Sequence, residues 1–389
     1  MLLKKSVCGR IFLFINFLML VAGANCSAFE ILKPTQYQIW GYYPYWIKGE
    51  WRKIDLALYD QLLFFEIPVH AGKIFLHSNG WPGNWKKLIA AAKKNGTRLQ
   101  PTFTLFDAKE FEQIFSDKNQ RKMLQAEMMA LLDQADSSGL QLDFEIFDPV
   151  SVASVAGYRQ FLSALKGELV SRQKALSLFV LSEDSAGLND KNSLRAADFI
   201  VIQGYDAHWK ESLKAGPVSQ LHGRMAVSWE SSLNHYLALD VPRNKILMSV
   251  PYFGYEWPTA TEAVGALTRG VGSEISFAPL PANLVPEVKA SALERIRQYG
   301  RKRDTTTGSP YYIFRDGTGW FQGWFEDKAS LSAKFEFIKK QKLAGIAVFP
   351  LGYDGGNFQH LLRHYFRSPD SLPSFSKPSH SDNAQAPGR

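Results

Sequence analysis

A chain of 389 residues, 46% of them apolar, is long enough for one large domain or two ordinary ones, and for a sizeable core. The formal charge is +8, yet no stripe of Lys and Arg concentrates it, which argues against nucleic acid as a partner. Two cysteines, no His-Glu-x-x-His and no phosphate-cradling loop leave metal and nucleotide chemistry without support, so no cofactor is expected.

The first element reads as a leader. Lys4, Lys5 and Arg10 precede the apolar run IFLFINFLMLVAG, and Ala22-Gly23-Ala24 supplies a small-x-small cleavage pattern. This predicts a signal peptide over 1–24 and an exported product, periplasmic or secreted. The run is too short for a comfortable span of about 20 residues, so no stable membrane span is expected. Removing the leader takes away three positive charges and no acids, lowering the balance from +8 to +5. Only Cys26 then remains, so the exported domain has no internal disulfide and rests on its core.

Eight short apolar runs follow, rich in β-formers: IWGYYPYW (39–46), QLLFFEI (61–67), RLQPTFTLF (98–106), LQLDFEIF (140–147), ALSLFVL (175–181), DFIVIQGYD (198–206), KILMSVPYFGY (245–255) and GIAVFPLG (345–352). Helical patterns alternate with them, such as NWKKLIAAAKKNG (84–96) and RKMLQAEMMALLDQADSSG (121–139), the latter with Gly139 as its expected stop. Eight alternating strand–helix units predict an α/β fold, a TIM (β/α)8 barrel with a parallel sheet. A doubly wound open sheet is the alternative, but no Gly-rich dinucleotide turn follows the first strand.

The gap before the last run is too long for one helix. Residues 256–330 carry ALERIRQYG as a helix and a hairpin around Asp316-Gly317, which predicts a small α+β insertion between the seventh and eighth strands. The barrel is expected over 29–367, and the Ser/Pro-rich 368–389 as a disordered tail. A monomer is expected.

The fourth run holds the chemistry. In a strand alternate side chains share a face, so Gln141, Asp143, Glu145 and Phe147 point one way and Leu142, Phe144 and Ile146 the other. The apolar face suits the helices; the polar face must point into the barrel and rise to its C-terminal mouth, where active sites of this fold lie. Two buried carboxylates are costly as charges unless paired, and no basic residue lies on this strand. A structural ion pair with a distant cation is the alternative. Glycoside hydrolysis needs a proton donor to the leaving oxygen and a group that stabilises an oxocarbenium-like centre. Like-charge proximity keeps one carboxyl protonated near neutral pH, and Glu145, outermost, is best placed as the acid.

SGLQLDFE resembles the strand-four motif of glycoside hydrolase family 18, Asp-x-x-Asp-x-Asp-x-Glu, with the last Asp and Glu at Asp143 and Glu145. GYYPYW resembles that family's first strand, QGYD its Met-x-Tyr-Asp motif at Tyr205 and Asp206, and ILMSVPYFGYEW its seventh strand. WFEDKASLSAKFEFIKKQKLAGIAVFPLG resembles the ending of bacterial members, including the spore-cortex-lytic type. The resemblance spans about 40 to 355. It implies substrate-assisted retaining hydrolysis of a β-linked N-acetylglucosamine-containing glycan. Glu145 would protonate the glycosidic oxygen, the substrate's N-acetyl carbonyl would attack the anomeric carbon, Asp143 would orient the resulting species, and Tyr205 and Asp206 would hold the acetamido group and sugar.

Departures from the pattern bear on the same residues. Gln141 stands where the family has an Asp; it can donate to Asp143 but carries no charge. Phe349 stands where the last strand usually offers a Trp floor, and Gln203 replaces the usual Met. Gln141, Gln203, Asp206, Phe349 and Tyr43 are the expected substrate-binding residues; Tyr45, Trp46, Tyr252, Tyr255 and Trp257 are further stacking candidates, with barrel packing as their alternative. His208 and Trp209 after the sixth strand, and Glu183 and Asp184 after the fifth, are weaker ones. A carbohydrate-binding, lectin-like protein on the same barrel is the alternative to hydrolysis.

Overall fold

A computed structural model describes residues 37–76, 79–223, 227–281 and 283–368; the leader expected at 1–24 and, apart from Ser368, the tail expected at 368–389 lie outside them. In chain order the elements are β1 (Gln38–Pro44), β2 (Gln61–His70), β3 (Lys73–Ile74), α1 (Lys86–Lys94), β4 (Arg98–Leu105), α2 (Ala108–Ser116), α3 (Lys118–Ala135), β5 (Gly139–Phe144), α4 (Val152–Ser171), β6 (Ala175–Val180), α5 (Lys191–Arg195), β7 (Phe199–Ile202), α6 (Trp229–Ala238) and β8 (Ile246–Pro251). There follow β9 (Phe253–Thr259), β10 (Ser273–Ser276), α7 (Ala292–Tyr299), β11 (Lys302–Arg303), β12 (Pro310–Asp316), β13 (Gly319–Trp324), α8 (Lys328–Gln341), β14 (Gly345–Phe349) and α9 (Gln359–Phe366).

Eight parallel strands close into a barrel in the order β1-β14-β8-β7-β6-β5-β4-β2, and β2 pairs back onto β1. All eight predicted runs supply one of these strands, and helices pack outside, as the TIM expectation required. Outward side chains of the strands meet the helices: Phe144 of β5 touches Phe115 of α2 and Tyr158 of α4. Inward positions are unusually polar. Gln38, Gln61, Gln100, Thr102, Gln141, Ser177 and Ser249 are all buried. They satisfy one another across strands, as where Ser177 Oγ donates to Gln100 Oε1 at 2.9 Å. Among the described residues no helix is long and apolar enough to cross a membrane.

Two local expectations give way to packing. The helix predicted over 121–139 ends at Ala135, with Asp136 in the left-handed region at φ 48° as its cap. Gly139 instead opens β5, because the neighbouring strand presses on it: a Cβ there would lie 2.1 Å from the Ala175 carbonyl oxygen. The run 245–255 divides at Pro251. Its second half, β9, leaves the barrel for a five-stranded antiparallel sheet, β10-β9-β13-β12-β11, which with α7 forms the insertion. The insertion therefore begins at Phe253, and its last strand ends at Trp324, ahead of the expected 330.

The insertion's exit is tied down by a buried ion pair. Lys334 Nζ lies 2.6 Å from Glu326 Oε2, each side chain 2% exposed, and also donates to the Ser219 carbonyl at 2.9 Å. Burial depresses the lysine's pKa and raises the glutamate's, each offset in part by its partner. Lys334→Met should therefore destabilise the protein by about 3–5 kcal/mol in denaturant titration, because Glu326 is left uncompensated. The double variant Lys334→Met/Glu326→Leu should recover much of that loss; equal losses in single and double variants would show that the pairing is not the cause.

Candidate active site

The site forms where β5 reaches the C-terminal mouth. Gln141 and Asp143 point inward from the strand, in register with Thr102 and Thr104 of β4. Glu145 lies just past the strand end, where its N–H donates to the Leu105 carbonyl at 3.0 Å. Asp143 is 2% exposed, and Glu145 sits one level higher in the cleft. Burial drives both carboxyls upward, Glu145 to about 7, and the two share a hydrogen bond. The pair consequently retains a proton at neutral pH. Phe147, expected on the same face, is 64% exposed beyond the strand, where the alternation of a pleated chain no longer holds.

The mouth encloses about 170 Å³ lined by Tyr42, Phe65, Asp143, Glu145, Phe179, Gln203, Tyr205, Asp206, Phe253, Tyr255, Glu274 and Phe349. Its floor is aromatic. Phe349 lies nearly parallel to Tyr205, 6.1 Å between centroids, and meets Tyr42 and Phe65 edge-on at 5.8 and 5.1 Å. Such a box suits the apolar face of a pyranose.

Tyr205 and Asp206 follow β7. The Tyr205 hydroxyl is pushed well above its ordinary pKa by burial and by the neighbouring acids, so it stays protonated and can donate. Asp206 takes the left-handed conformation, φ 63°, which Asp tolerates better than most residues. Gln203 Nε2 donates to its Oδ2 at 3.2 Å, while its buried Oδ1 has no partner among the described residues. Burial, then Glu145 and Glu274, raise Asp206 to about 7.

Six of the expected residues thus converge: Asp143, Glu145, Gln203, Tyr205, Asp206 and Phe349. Two do not. Tyr43 is fully buried on the outer face of β1, donating to the Ile47 carbonyl at 2.6 Å and packing on Trp85; strand alternation sends its neighbour Tyr42 inward instead. Gln141 lies beneath the cleft, out of a substrate's reach. Its Oε1 accepts from Thr102 Oγ1 at 3.3 Å, and its buried Nε2 has no hydrogen-bond partner among the described residues, neither Asp143 as expected nor any other group. Of the weaker candidates, Tyr255 lines the cleft, whereas Tyr252 and Trp257 are buried. His208 contacts the Pro217 carbonyl, and Asp184 accepts from the Leu188 and Asn189 N–H groups.

The sequence reading passed over two acids. Glu66, near the middle of β2, accepts from Thr104 Oγ1 at 2.8 Å; burial raises its pKa, and its charge acts on both Asp143 and Glu145. Glu274 reaches the cleft from the insertion. Parity along QLLFFEI sets Glu66 opposite Phe65, yet both turn to the site because the pairing of β2 with β4 shifts register between Phe64 and Ile67; nothing near Glu274 marks it. Among the described residues no group of three or more His, Cys, Asp or Glu could hold a metal ion.

With this geometry in view, the comparisons agree in direction. The model for glycosyl hydrolases family 18 matches residues 38–354. The uncharacterized glycosylase YvbX of Bacillus subtilis is 21% identical over 271 residues, 66% of this chain and 70% of that protein. The cortical fragment-lytic enzyme of Bacillus anthracis is 25% identical over 231 residues, 57% of this chain but only 49% of that enzyme, so about half its length is spanned. Among solved structures, a family 18 N-acetylglucosaminidase from Paenibacillus barengoltzii superposes with a TM-score of 0.69 at 18% identity, covering 84% of this chain and 99% of that one; this likeness speaks to the fold.

Proposed function

This chain belongs to glycosyl hydrolase family 18, and we propose that it cleaves a β-linked, N-acetylglucosamine-containing glycan by a substrate-assisted, retaining route. The observation that carries the reading is the buried Asp143–Glu145 pair, holding a proton at the barrel mouth opposite the Tyr205 hydroxyl.

In the first step the bond from the anomeric carbon to the glycosidic oxygen breaks. Glu145 gives its proton to the departing oxygen, and the substrate's acetamido carbonyl oxygen bonds to the anomeric carbon. Asp143, freed from sharing the pair's proton, accepts from the acetamido N–H and stabilises the cationic ring that results. Tyr205 donates to the acetamido oxygen and steers it toward the carbon. In the second step water attacks that carbon, the Glu145 carboxylate takes the water's proton, and the acetamido group is restored with configuration retained. The retained acid Glu145 favours this reading over a purely lectin-like one.

The test is a pair of aryl glycosides differing only at C2, one with acetamido and one with a free amine. Only the N-acetylated compound should be cleaved, and its first product should carry the β configuration by NMR. Equal cleavage of both, or an α product, would reject the substrate-assisted route.

A further inference from the structure

The cleft carries more carboxyl groups than hydrolysis of a neutral sugar requires. Four carboxyls line it, Asp143, Glu145, Asp206 and Glu274, and among the described residues no Lys, Arg or His does. Two of them, Asp206 and Glu274, lie away from the β5 strand pair and come together from different parts of the fold. Asp206 follows β7 of the barrel; Glu274 stands on β10 of the insertion, paired directly across from Tyr255 of β9. Directly opposed residues of an antiparallel pair show their side chains on one face, so Glu274 and the Tyr255 ring form one wall.

Glu274 is held in place. The Tyr353 hydroxyl donates to its carboxyl, and that hydroxyl in turn accepts from Trp46 Nε1 at 3.3 Å. Asp206 lines the same cavity; its Oδ2 accepts from Gln203 Nε2, and its buried Oδ1 has no partner among the described residues. The charged groups acting on this rim are Glu145 and Glu287, both acidic, and Lys210, which is exposed and outside the lining. Two carboxyls and an aromatic ring around a cavity without a lining cation is the arrangement that an ammonium group satisfies.

We propose, resting on the glycosidase reading above, that Asp206, Glu274 and Tyr255 receive a protonated amino group, so that the preferred substrate is a partly de-N-acetylated glycan. An N-acetylated residue occupies the position that is cleaved, and a glucosamine residue lies beside it. The weakened acidity of these two carboxyls agrees with this: burial lifts the pKa of Asp206 and of Glu274 to about 7 each, and a bound cation would lower both. The same rim disfavours a neighbouring sugar that bears a carboxylate, such as a muramyl residue, through like-charge repulsion.

The test uses short β-1,4- and β-1,6-linked oligosaccharides in three forms: fully N-acetylated, carrying one free amine beside the cleaved residue, and carrying a lactyl carboxylate there. For the wild-type protein, kcat/KM should be about tenfold higher for the amine-bearing form than for the fully N-acetylated one, the scale of one charge-assisted contact. The lactyl form should be poorest. In Glu274→Gln the ratio of amine-bearing to fully N-acetylated kcat/KM should fall toward one; a merely structural role would lower both and leave the ratio standing. The linkage set that is cut names the source of the glycan. Binding of the same compounds to Glu145→Gln is measured alongside. Hydrolysis with no preference for the amine would overturn the amine assignment alone. Preferential binding without hydrolysis would overturn the glycosidase reading and leave amine recognition in place. Neither binding nor hydrolysis of any form would overturn both.

Discussion

Replacing Glu145 with Gln should lower kcat on an N-acetylated oligosaccharide by about 1,000-fold, within the range of 100 to 10,000 typical of general acid catalysis. Gln keeps the shape and the hydrogen bonding of the side chain but has no proton to give. The alkyl leaving group of a natural glycan then departs as an unprotonated alkoxide. A dinitrophenyl glycoside, whose leaving group needs no proton, should lose far less, which separates lost acid catalysis from a damaged cleft. The wild-type kcat/KM should fall as pH rises past about 7, where Glu145 gives up its proton. A Glu145→Gln protein that still cuts the oligosaccharide at near wild-type rate would remove this residue from the mechanism.

Between pH 5 and pH 8 the folded state should lose several kcal/mol of stability. Burial lifts Glu145, Asp206 and Glu274 to about 7, far above their values in an unfolded chain. In that window the folded protein binds more protons than the unfolded one. The stability these groups contribute is complete below their unfolded values and is lost as pH rises through about 7. Glu145 alone, moved from 4.5 to about 7, accounts for on the order of 3 kcal/mol. The three do not simply add, since Glu145 and Glu274 both raise Asp206. His208 works the other way: burial lowers its pKa, so its contribution grows as pH climbs through the usual histidine range. One histidine offsets only part of three acids. Calorimetric Tm should therefore decline steadily from pH 5 to pH 8, and Glu274→Gln should flatten the decline. A Tm that is level or rises over this range would mean that the acids are solvated in the native protein. The same burial that tunes the site for catalysis thus costs stability at alkaline pH.

Much of this was legible in one dimension. Eight β-rich runs alternating with helical patterns specified a parallel barrel, because a strand and its following helix can bury their apolar faces only against one another. The two-residue spacing of Asp143 and Glu145 put both on one side of β5, and an apolar opposite face in Leu142 and Phe144 told which side was inward. Local pattern therefore determined the fold and the acid pair. It could not settle matters that depend on what lies across a gap. Tyr42 rather than Tyr43 faces the substrate because β1 pairs with β2 and β14 in one register, and adjacent aromatics look alike until that register is known. Gln141 is tied to Thr102 of the neighbouring strand through its Oε1, while its buried Nε2 is without a partner among the described residues rather than on Asp143. Gly139 reads as a helix stop but is required by the approach of β6. Glu274 arrives at the cleft from a sheet that folds back from the chain's far side, about 130 positions from Glu145. A sequence records which side chains an element turns inward; which of them meet is decided by strand register and by the return path of the insertion, both fixed only when the chain closes on itself.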